Sequence, residues 1–271
     1  MRNLIYQYWD GPILPGTLAG VANMRAYAES IGADYRFDDN VKWYDSFNTG
    51  TRGLHAIFYG AFRPIYDDAF LEYDNVLYAD IDIFAVDGLK ENIFDGFDAE
   101  IGICTEPFQP TQRAKFNTGI CSASDERWAG AVEALWDTTL PRTPEGLLKV
   151  YNAGLVMYSR AGLIAARERF KPCPDYARMV APLGIAGFYK DDQNYLHAML
   201  FATGMDMVEL DNGWNSSIHA YHTDASKKQT AINDSRTIET KFVHIQLRGA
   251  DHLDAATQYR ITNLPQSEWA I

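Results

Sequence analysis

Two aspartates, Asp80 and Asp82, follow an apolar run at residues 76–79 and are separated by one residue. In a β-strand, residues i and i+2 face the same side, so we expect both carboxylates to point together, away from Ile81 and Ile83. Two ionised carboxylates this close repel each other, and a divalent cation between them removes that repulsion. Mg²⁺ and Mn²⁺ prefer oxygen ligands and bind through one or two carboxylates together with substrate phosphates. The spacing therefore favours a metal site, against the alternative of two solvent-facing residues in a chain with 36 acidic ones.

The elements around this pair alternate between strands and helices. Residues 4–9 predict a strand, residues 15–31 a helix that Gly32 ends, and residues 33–37 a second strand. Strand, helix and strand in this order open a βαβ unit, which builds a parallel sheet. The aspartates end the strand predicted at residues 75–84, and ligands of open α/β sheets bind beyond the carboxyl ends of strands. The pattern predicts an α/β protein with its site at that edge.

The rest of the chain continues this alternation and then becomes irregular. Further predicted helices cover residues 54–70, 129–136, 161–170 and 191–201, and further predicted strands cover residues 99–104, 154–158 and 242–245. The sequence contains no repeat and no linker. We therefore expect a single domain over residues 1–271, with a core at about 1–205 and an irregular C-terminal extension at about 206–271.

Composition narrows the class of protein. A chain of 271 residues with 47% apolar residues is large enough for one substantial α/β domain. Its net charge of −12 argues against a nucleic-acid partner, because phosphate-backbone binding uses clustered Lys and Arg. A phosphorylated small molecule would need a cation at its phosphates. The 16 Tyr and 6 Trp fit either a carbohydrate-facing surface or a Tyr-rich core.

Cysteine usage and hydropathy predict a location. The three cysteines, Cys104, Cys121 and Cys173, are scattered without metal-ligand spacing, which indicates a reducing compartment. The N-terminus has no long apolar stretch, and no run of 18 apolar residues occurs. We expect a soluble cytoplasmic protein without an export signal or a transmembrane segment, and the sequence predicts no oligomeric state.

The segment at residues 73–84 (YDNVLYADIDIF) resembles the DxD segment of GT-A glycosyltransferases, especially the retaining enzymes of glycosyltransferase family 8. Residues 27–35 are similar to the helix-then-strand segment of such enzymes. An Asn-Ala-Gly motif, an Asp-Gln helix start and a Trp-Asn stretch follow in the order of that family, at residues 151–157, 191–196 and 211–215. The resemblance covers residues 3–250. It implies a GT-A-like, Rossmann-like fold with a mostly parallel central sheet flanked by helices.

The resemblance also implies a third metal ligand. His244 falls where a C-terminal histidine of the family joins the two aspartates on Mn²⁺ or Mg²⁺, so the extension would complete the site of Asp80 and Asp82. Without the family pattern, a single His after an apolar run is usually a structural residue. The family places a Gly and a phosphate-binding Lys soon after this His. Residues 246–249 contain Arg248 instead, which is our candidate for the phosphate contact.

Donor contacts are implied at three further places. Tyr6, Tyr8 and Asp10 end the first strand, where this fold meets the nucleotide base, and a stacking Tyr with an Asp on the uracil edge implies a UDP-linked donor. Ile81 is expected at the donor between the two metal-binding aspartates. Arg63 lies 17 residues before the first of those aspartates, about where the family has a donor-binding basic residue. The alternative for this residue is a solvated arginine on a helix surface.

The later motifs imply contacts close to the reacting atoms. Asn152, Ala153 and Gly154 would let the backbone approach the donor or acceptor closely, although a tight strand entry would use the same residues. Asp192 would contact the donor sugar, and Gln193 would lie near the anomeric carbon. The alternatives are that Asp192 is a plain helix cap and that the preceding aspartate takes its place in the alignment.

Together these features predict a glycosyltransferase, either a hexosyl- or a pentosyltransferase. It would move a sugar from a UDP-linked donor to a glycan or another hydroxyl acceptor, with retention of configuration and with a divalent metal. One alternative is a metal-dependent sugar-nucleotide hydrolase or nucleotidyltransferase on a similar sheet. Another is a non-catalytic carbohydrate-binding protein. No P-loop, HExxH, GxGxxG or serine-nucleophile pattern supports a different chemistry.

Overall fold

The computed structural model describes residues 1–39, 60–109, 111, 119–222, 228 and 230–269. Its strands are β1 (Asn3–Trp9), β2 (Asp34–Asp39), β3 (Asn75–Ala79), β4 (Ile83–Ala85), β5 (Ile101–Thr105), β6 (Tyr151–Ser159), β7 (Met207–Glu209), β8 (Ser216–His222), β9 (Thr230–Asp234) and β10 (Phe242–Gln246). Its α-helices are α1 (Pro15–Ile31), α2 (Arg63–Tyr66), α3 (Ser122–Trp136), α4 (Arg160–Arg169), α5 (Cys173–Val180), α6 (Asp192–Ala202) and α7 (Ala255–Asn263).

Six strands form the central sheet, in the order β2-β1-β3-β6-β5-β7. β1 is parallel to β2 and β3, and β5 is parallel to β7, whereas β6 runs antiparallel between β3 and β5. Five of the six strands therefore share one direction. Helices pack against this sheet, so the predicted α/β fold with a mostly parallel central sheet is confirmed.

A second sheet of four strands has the order β4-β10-β8-β9. Three of its strands come from the extension predicted to be irregular, and β10 alone among them was predicted, so this part of the chain is more regular than expected. β4 comes from the middle of the chain and pairs with β10. The single strand predicted at residues 75–84 is therefore two strands in two different sheets, with a turn between them.

Helix α1 has the predicted bounds because its end signals are local. Pro15 occupies the first turn, where its missing N–H is not needed. Gly32 ends the helix in the left-handed conformation, with φ of 70°. Gly20 lies against the turn after β3, and a Cβ on this residue would stand 1.8 Å from the carbonyl oxygen of Ile81. A glycine is therefore needed where the helix meets the site.

The helix predicted at residues 54–70 falls partly outside the described residues, which begin again at residue 60. The described part contains the short helix α2 and a 3₁₀ turn at Asp68–Glu72. Asp67 has extended backbone angles between them, and its side chain accepts a hydrogen bond from the Ala69 N–H. This local cap breaks the predicted continuous helix, so that prediction was wrong at its C-terminal end.

The apolar core covers both faces of the central sheet. Leu4, Tyr6 and Tyr8 of β1 enter one cluster, and Ile5 enters the cluster on the opposite face. Six of the 16 tyrosines are fully buried in the first of these clusters, namely Tyr6, Tyr151, Tyr158, Tyr176, Tyr189 and Tyr195. The core therefore accounts for many of the aromatic residues. Among the described residues, no helix has the length and apolar character needed to cross a bilayer.

Candidate active site

Asp80 and Asp82 lie in the turn that joins the two sheets. The Asp80 carbonyl oxygen accepts a hydrogen bond from the Ile83 N–H at 3.1 Å, which closes the turn. The Asp80 N–H donates to the Gly154 carbonyl oxygen at 2.7 Å, and the Ile245 N–H donates to the Asp82 carbonyl oxygen at 2.9 Å. The two carboxylates were predicted to converge because they alternate along a strand. That reason was wrong, because the strand ends before Asp80. A turn anchored to both sheets brings the carboxylates together instead.

His244 joins these carboxylates from β10. Its side chain is buried, and its Nε2 atom lies 3.2 Å from Asp82 Oδ1 and 3.9 Å from Asp80 Oδ2. One ligand atom from each of the three residues lies within 4.8 Å of the others, so the group could hold a metal ion. Two carboxylates and an imidazole suit a divalent cation such as Mn²⁺. Both aspartate side chains keep about 40% of their surface exposed, which leaves access for further ligands.

The charges of this group are unbalanced without a cation. Burial raises the pKa of Asp80 to about 6, and the neighbouring Asp82 adds to the rise. Burial alone would lower the pKa of His244, but the two carboxylates raise it to about 9. Tyr78 donates a hydrogen bond of 2.6 Å to Asp80 Oδ1. The raised pKa values show that the carboxylates repel each other and that a positive charge beside them would stabilise their ionised forms.

The Asn-Ala-Gly segment begins β6 beside the metal group. A Cβ on Gly154 would stand 2.7 Å from Asp80 Oδ2 and 2.7 Å from His244 Cε1, so any larger residue would enter the space of the ligands. The Asn152 side chain accepts hydrogen bonds from the Gly154 N–H at 2.9 Å and from Asn215 Nδ2 at 3.0 Å. Ala153 points into the core on the opposite side of the strand. The structure therefore brings Asn152 and Gly154 to the site, and not Ala153.

Asn152 also connects the site to a carboxylate that was not predicted. Its Nδ2 atom donates a hydrogen bond of 2.6 Å to Glu106 Oε1. The negative charge of Glu106 acts to raise the pKa of His244 as well. Glu106 directly follows β5, at the same edge of the sheet as the metal group. In the sequence, the only signal that Glu106 belongs to the site is its position after a buried strand.

A cavity of about 300 Å³ lies beside the metal group. Five of the predicted site residues line it, namely Tyr8, Asp80, Ile81, Asp82 and Asp192. The other lining residues are Trp9, Gly16, Thr17, Tyr78, Phe84, Ile245, Gln246, Leu247, Ala250, Asp251 and Gln258. No described residue of the lining is Lys or Arg. The walls therefore combine aromatic and aliphatic side chains with several carboxylates.

Asp192 reaches this cavity from the first residue of α6. Burial raises its pKa well above the ordinary value of an aspartate, and the Asp80 carboxylate adds to the rise. Asp191, and not Asp192, is the residue that caps the helix. Gln193 is half-buried and does not line the cavity. The structure thus places Asp192 at the site and Gln193 next to it.

Four of the five residues predicted to contact the nucleotide or its phosphates lie outside the cavity lining. Tyr6 is fully buried, with its ring packed edge-on against Phe70. Arg63 is largely buried and forms ion pairs with Asp38 at 2.8 Å and Asp67 at 3.3 Å. Asp10, which is half-exposed, and Arg248, which is exposed, also lie outside the cavity lining.

Several residues of the site were missed from the sequence. Tyr78 precedes Asp80 by two residues, so strand periodicity could have placed it on the same side. Gln7 is buried and donates a hydrogen bond of 2.9 Å to the Asp80 carbonyl oxygen. Thr17 and Gln258 carry no local signal, because the helix of Thr17 was predicted only from its apolar positions and Gln258 lies in the extension that was predicted to be irregular. Only the packing of distant elements reveals them.

Comparison with known proteins identifies the fold but no family. No protein-family model and no curated protein matches the sequence. The structure is similar to that of the galactosyltransferase LgtC in complex with donor and acceptor sugar analogues, with a TM-score of 0.53 and 13% identity over 97% of this chain and 98% of that chain. It is also similar to a glycosyltransferase involved in glycosylation of the major capsid of PBCV-1, with a TM-score of 0.51 and 11% identity over 96% and 98% of the two chains. The predicted GT-A-like fold is confirmed, whereas membership of glycosyltransferase family 8 stays a prediction.

Proposed function

We propose that this chain is a divalent-metal-dependent glycosyltransferase that takes a sugar from a UDP-linked donor. One observation carries the proposal: Asp80, Asp82 and His244 converge beside a cavity of ligand size in a fold shared with glycosyltransferases. The site also lies beyond the carboxyl end of β3, where open α/β sheets bind ligands. The acceptor is proposed to be a glycan or another hydroxyl compound.

The charge of the cavity explains the need for a metal. Asp80, Asp82, Asp192 and Asp251 line it, and no described Lys or Arg does. A diphosphate would be repelled by these carboxylates in the absence of a cation. A cation held by the two aspartates and His244 would supply the positive charge that a leaving diphosphate requires. We propose Mn²⁺ or Mg²⁺ in this position, with the exposed Arg248 as a further phosphate contact.

The protein's own groups would position the donor sugar. Asp192 lines the cavity, where its carboxyl group can hydrogen-bond to a sugar hydroxyl. Gln193 follows it in the first turn of α6, where its amide is proposed to lie near the anomeric carbon. Retention of configuration is part of the same proposal, and it rests on the resemblance of the sequence motifs to retaining enzymes.

The function is tested by product analysis and by one matched pair of variants. The wild-type protein is incubated with Mn²⁺, a panel of UDP-sugars and sugar acceptors, and the products are separated by mass spectrometry. We expect Asp82→Asn to lower turnover on the order of 10³-fold, because a metal contributes several kcal/mol at the transition state. Asp98→Asn changes an exposed carboxylate away from the site and should keep wild-type turnover.

Three results would contradict the assignment. Release of free sugar as the sole product, with every acceptor in the panel, would instead indicate a hydrolase. Asp82→Asn with the turnover of the wild type would remove the metal group from the reaction. Sugar binding that does not respond to Mn²⁺ or to chelation would favour a carbohydrate-binding protein without catalysis.

A further inference from the structure

Two helices without any predicted site residue contribute to the same cavity. Thr17 lies in the first turn of α1 and Gln258 lies in α7, and both line the cavity. Each residue is almost fully buried, with 1% and 3% of its surface exposed. The Thr17 Oγ1 and Gln258 Oε1 atoms have no hydrogen-bond partner among the described residues. Because unpartnered buried polar atoms are unfavourable, two of them in one cavity indicate a ligand that pairs with them.

The Gln258 side chain and the residue before Thr17 both lie at the Ala250 carbonyl group. The Gln258 Nε2 atom donates a hydrogen bond of 2.6 Å to the Ala250 carbonyl oxygen. A Cβ on Gly16 would stand 2.5 Å from the same oxygen, so the start of α1 is in direct contact with this point of the chain. Thr17 is the next residue along α1. The hydrogen bond to Ala250 also fixes the orientation of the amide, so Gln258 Oε1 is the acceptor that remains available.

The chemistry of a matching ligand follows from these two atoms. Gln258 Oε1 can only accept, so it requires an N–H or O–H group, whereas the Thr17 hydroxyl can donate or accept. Such a pair recognises an edge on which a donor and a carbonyl oxygen are neighbours. The wall beside it includes the aromatic Trp9 and the aliphatic Leu247, and it has no described Lys or Arg. An uncharged flat ring fits this end of the cavity better than a phosphate does.

We propose that Thr17 and Gln258 read the polar edge of the donor's nucleobase, which for a UDP-linked donor is the uracil imide. The Gln258 carbonyl oxygen accepts from the ring N–H, and the Thr17 hydroxyl donates to an adjacent ring carbonyl. This inference rests on the proposed function and makes it more specific. It transfers the base contact from Asp10, which does not line the cavity, to two helices that begin at residues 15 and 255.

The first test separates ligand recognition from structural support. Thr17→Val replaces the hydroxyl with a methyl group of similar size. Because the hydroxyl has no hydrogen-bond partner in the described part of the chain, the melting temperature of the ligand-free variant should stay the same or rise. The Kd of UDP in the presence of Mn²⁺, measured by calorimetry, should rise about tenfold, the usual effect of one lost hydrogen bond. Thr203→Val is the matched control, since its hydroxyl does have a partner, the Met199 carbonyl oxygen at 2.6 Å. That control should melt earlier and bind UDP normally.

The second test changes the ligand instead of the protein. N3-methyl-UDP lacks the ring N–H, so the wild-type protein should bind it about tenfold more weakly than UDP. Gln258→Met retains a side chain of similar length without the carbonyl oxygen. This variant should bind UDP and N3-methyl-UDP with the same Kd, whereas Thr17→Val should still prefer UDP.

The outcomes distinguish this inference from the function on which it rests. If the wild type binds UDP with Mn²⁺ and neither Thr17→Val nor N3-methylation weakens binding, the base contact is wrong and the proposed function stands. If the wild type shows no metal-dependent binding to UDP or to UDP-sugars, the proposed function fails and the base contact fails with it.

Discussion

The two sheets of the molecule use their faces differently. Alternate residues of the six-stranded sheet enter two separate apolar clusters, so both of its faces are buried. In the four-stranded sheet, Ile218, Val243 and Ile245 enter a single smaller cluster with α1 and α7. Ser217 and His244 are paired neighbours on β8 and β10, and strand alternation places them on the opposite face. Ile83, Ala85 and Phe242 share that face and pack into the second cluster of the six-stranded sheet. One sheet is apolar on both faces, and the other combines apolar packing with polar residues at the site.

This difference places the chemistry at the join between the sheets. The turn that carries Asp80 and Asp82 is hydrogen-bonded to Gly154 of the first sheet and to Ile245 of the second. Neither sheet alone brings the three candidate metal ligands together. We infer that the site depends on how closely the sheets and α1 approach one another at this turn, and substitutions at the join should therefore have the largest effects.

Gly20→Ala should have the largest effect, because it forces α1 away from the turn. The new Cβ would stand 1.8 Å from the Ile81 carbonyl oxygen, and a backbone atom has little freedom to give way. We expect the free energy of unfolding in urea to fall by about 3 kcal/mol. Gly130→Ala in α3 is the control, because its Cβ would meet no atom within 4 Å, and it should stabilise the protein by about 1 kcal/mol. Equal stability of Gly20→Ala and the wild type would show that the join is not tight.

Gly154→Ala should damage the metal group more than the fold. Its Cβ would displace the Asp80 carboxylate and the His244 ring, which are side-chain groups that can move. The affinity for Mn²⁺, measured by calorimetry, should fall about 10- to 100-fold, as it does when ligand positioning is disturbed. Gly187→Ala provides a control at an exposed glycine with open space around it. Unchanged Mn²⁺ affinity in Gly154→Ala would mean that the ligands tolerate a different arrangement.

Arg236→Met tests the four-stranded sheet separately. The guanidinium group pairs with Asp234 of β9 at 2.6 Å and donates to the Ile261 carbonyl oxygen of α7 at 2.6 Å. Its loss should lower stability by about 1.5 kcal/mol, because a hydrogen bond with a charged donor is lost. Hydrogen exchange should accelerate in α7 and not in β1 or β3. The control is Arg178→Met, which changes an exposed arginine and should leave both the stability and the hydrogen exchange unchanged. Equal acceleration of exchange in α7 and in β1 and β3 would contradict a local effect of Arg236.

Glu209→Gln tests the edge of the six-stranded sheet and should have the smallest effect. Partial burial acts to raise the pKa of Glu209, but hydrogen bonds from Lys149 and Tyr151 outweigh it and hold the pKa below its usual value. A carboxylate with a lowered pKa stabilises the fold above its unfolded pKa, and this contribution is lost as the pH falls through the folded value. The variant should be less stable by about 0.5 kcal/mol at pH 7. The difference should shrink as the pH falls below about 4.3, the ordinary pKa of a glutamate, in paired urea titrations. A pH-independent difference would assign the effect to packing.

The features that the sequence predicted well are those with local causes. Helix α1 was predicted with the observed bounds because Pro15 and Gly32 act within a turn of its ends. The apolar residues before Asp80 predicted a buried strand, and the two carboxylates do converge. The alternation of polar and apolar residues nevertheless continues through the turn, because Ile81 stands between Asp80 and Asp82. One long strand was therefore predicted where two short ones exist.

The features that escaped prediction depend on distant contacts. β4 has three residues and pairs with β10, with Ala85 opposite Phe242, so no local pattern could indicate a second sheet. The predicted place of His244 beside the aspartates came from a family resemblance and not from its own surroundings. Arg63 has its charge satisfied by Asp38, a partner 25 residues earlier in the chain. Such partners become apparent only when the elements are packed.

The distance along the chain between the metal-binding residues has a consequence for biosynthesis. Asp82 and His244 are 162 residues apart, and contacts between such distant segments form late because closing a long loop is entropically unfavourable. Domains emerge from the ribosome N-terminus first, so the aspartates wait for β10 before they acquire their imidazole. Mn²⁺ uptake during refolding should therefore follow the last step, and it would serve as a reporter of chains that have reached the native state.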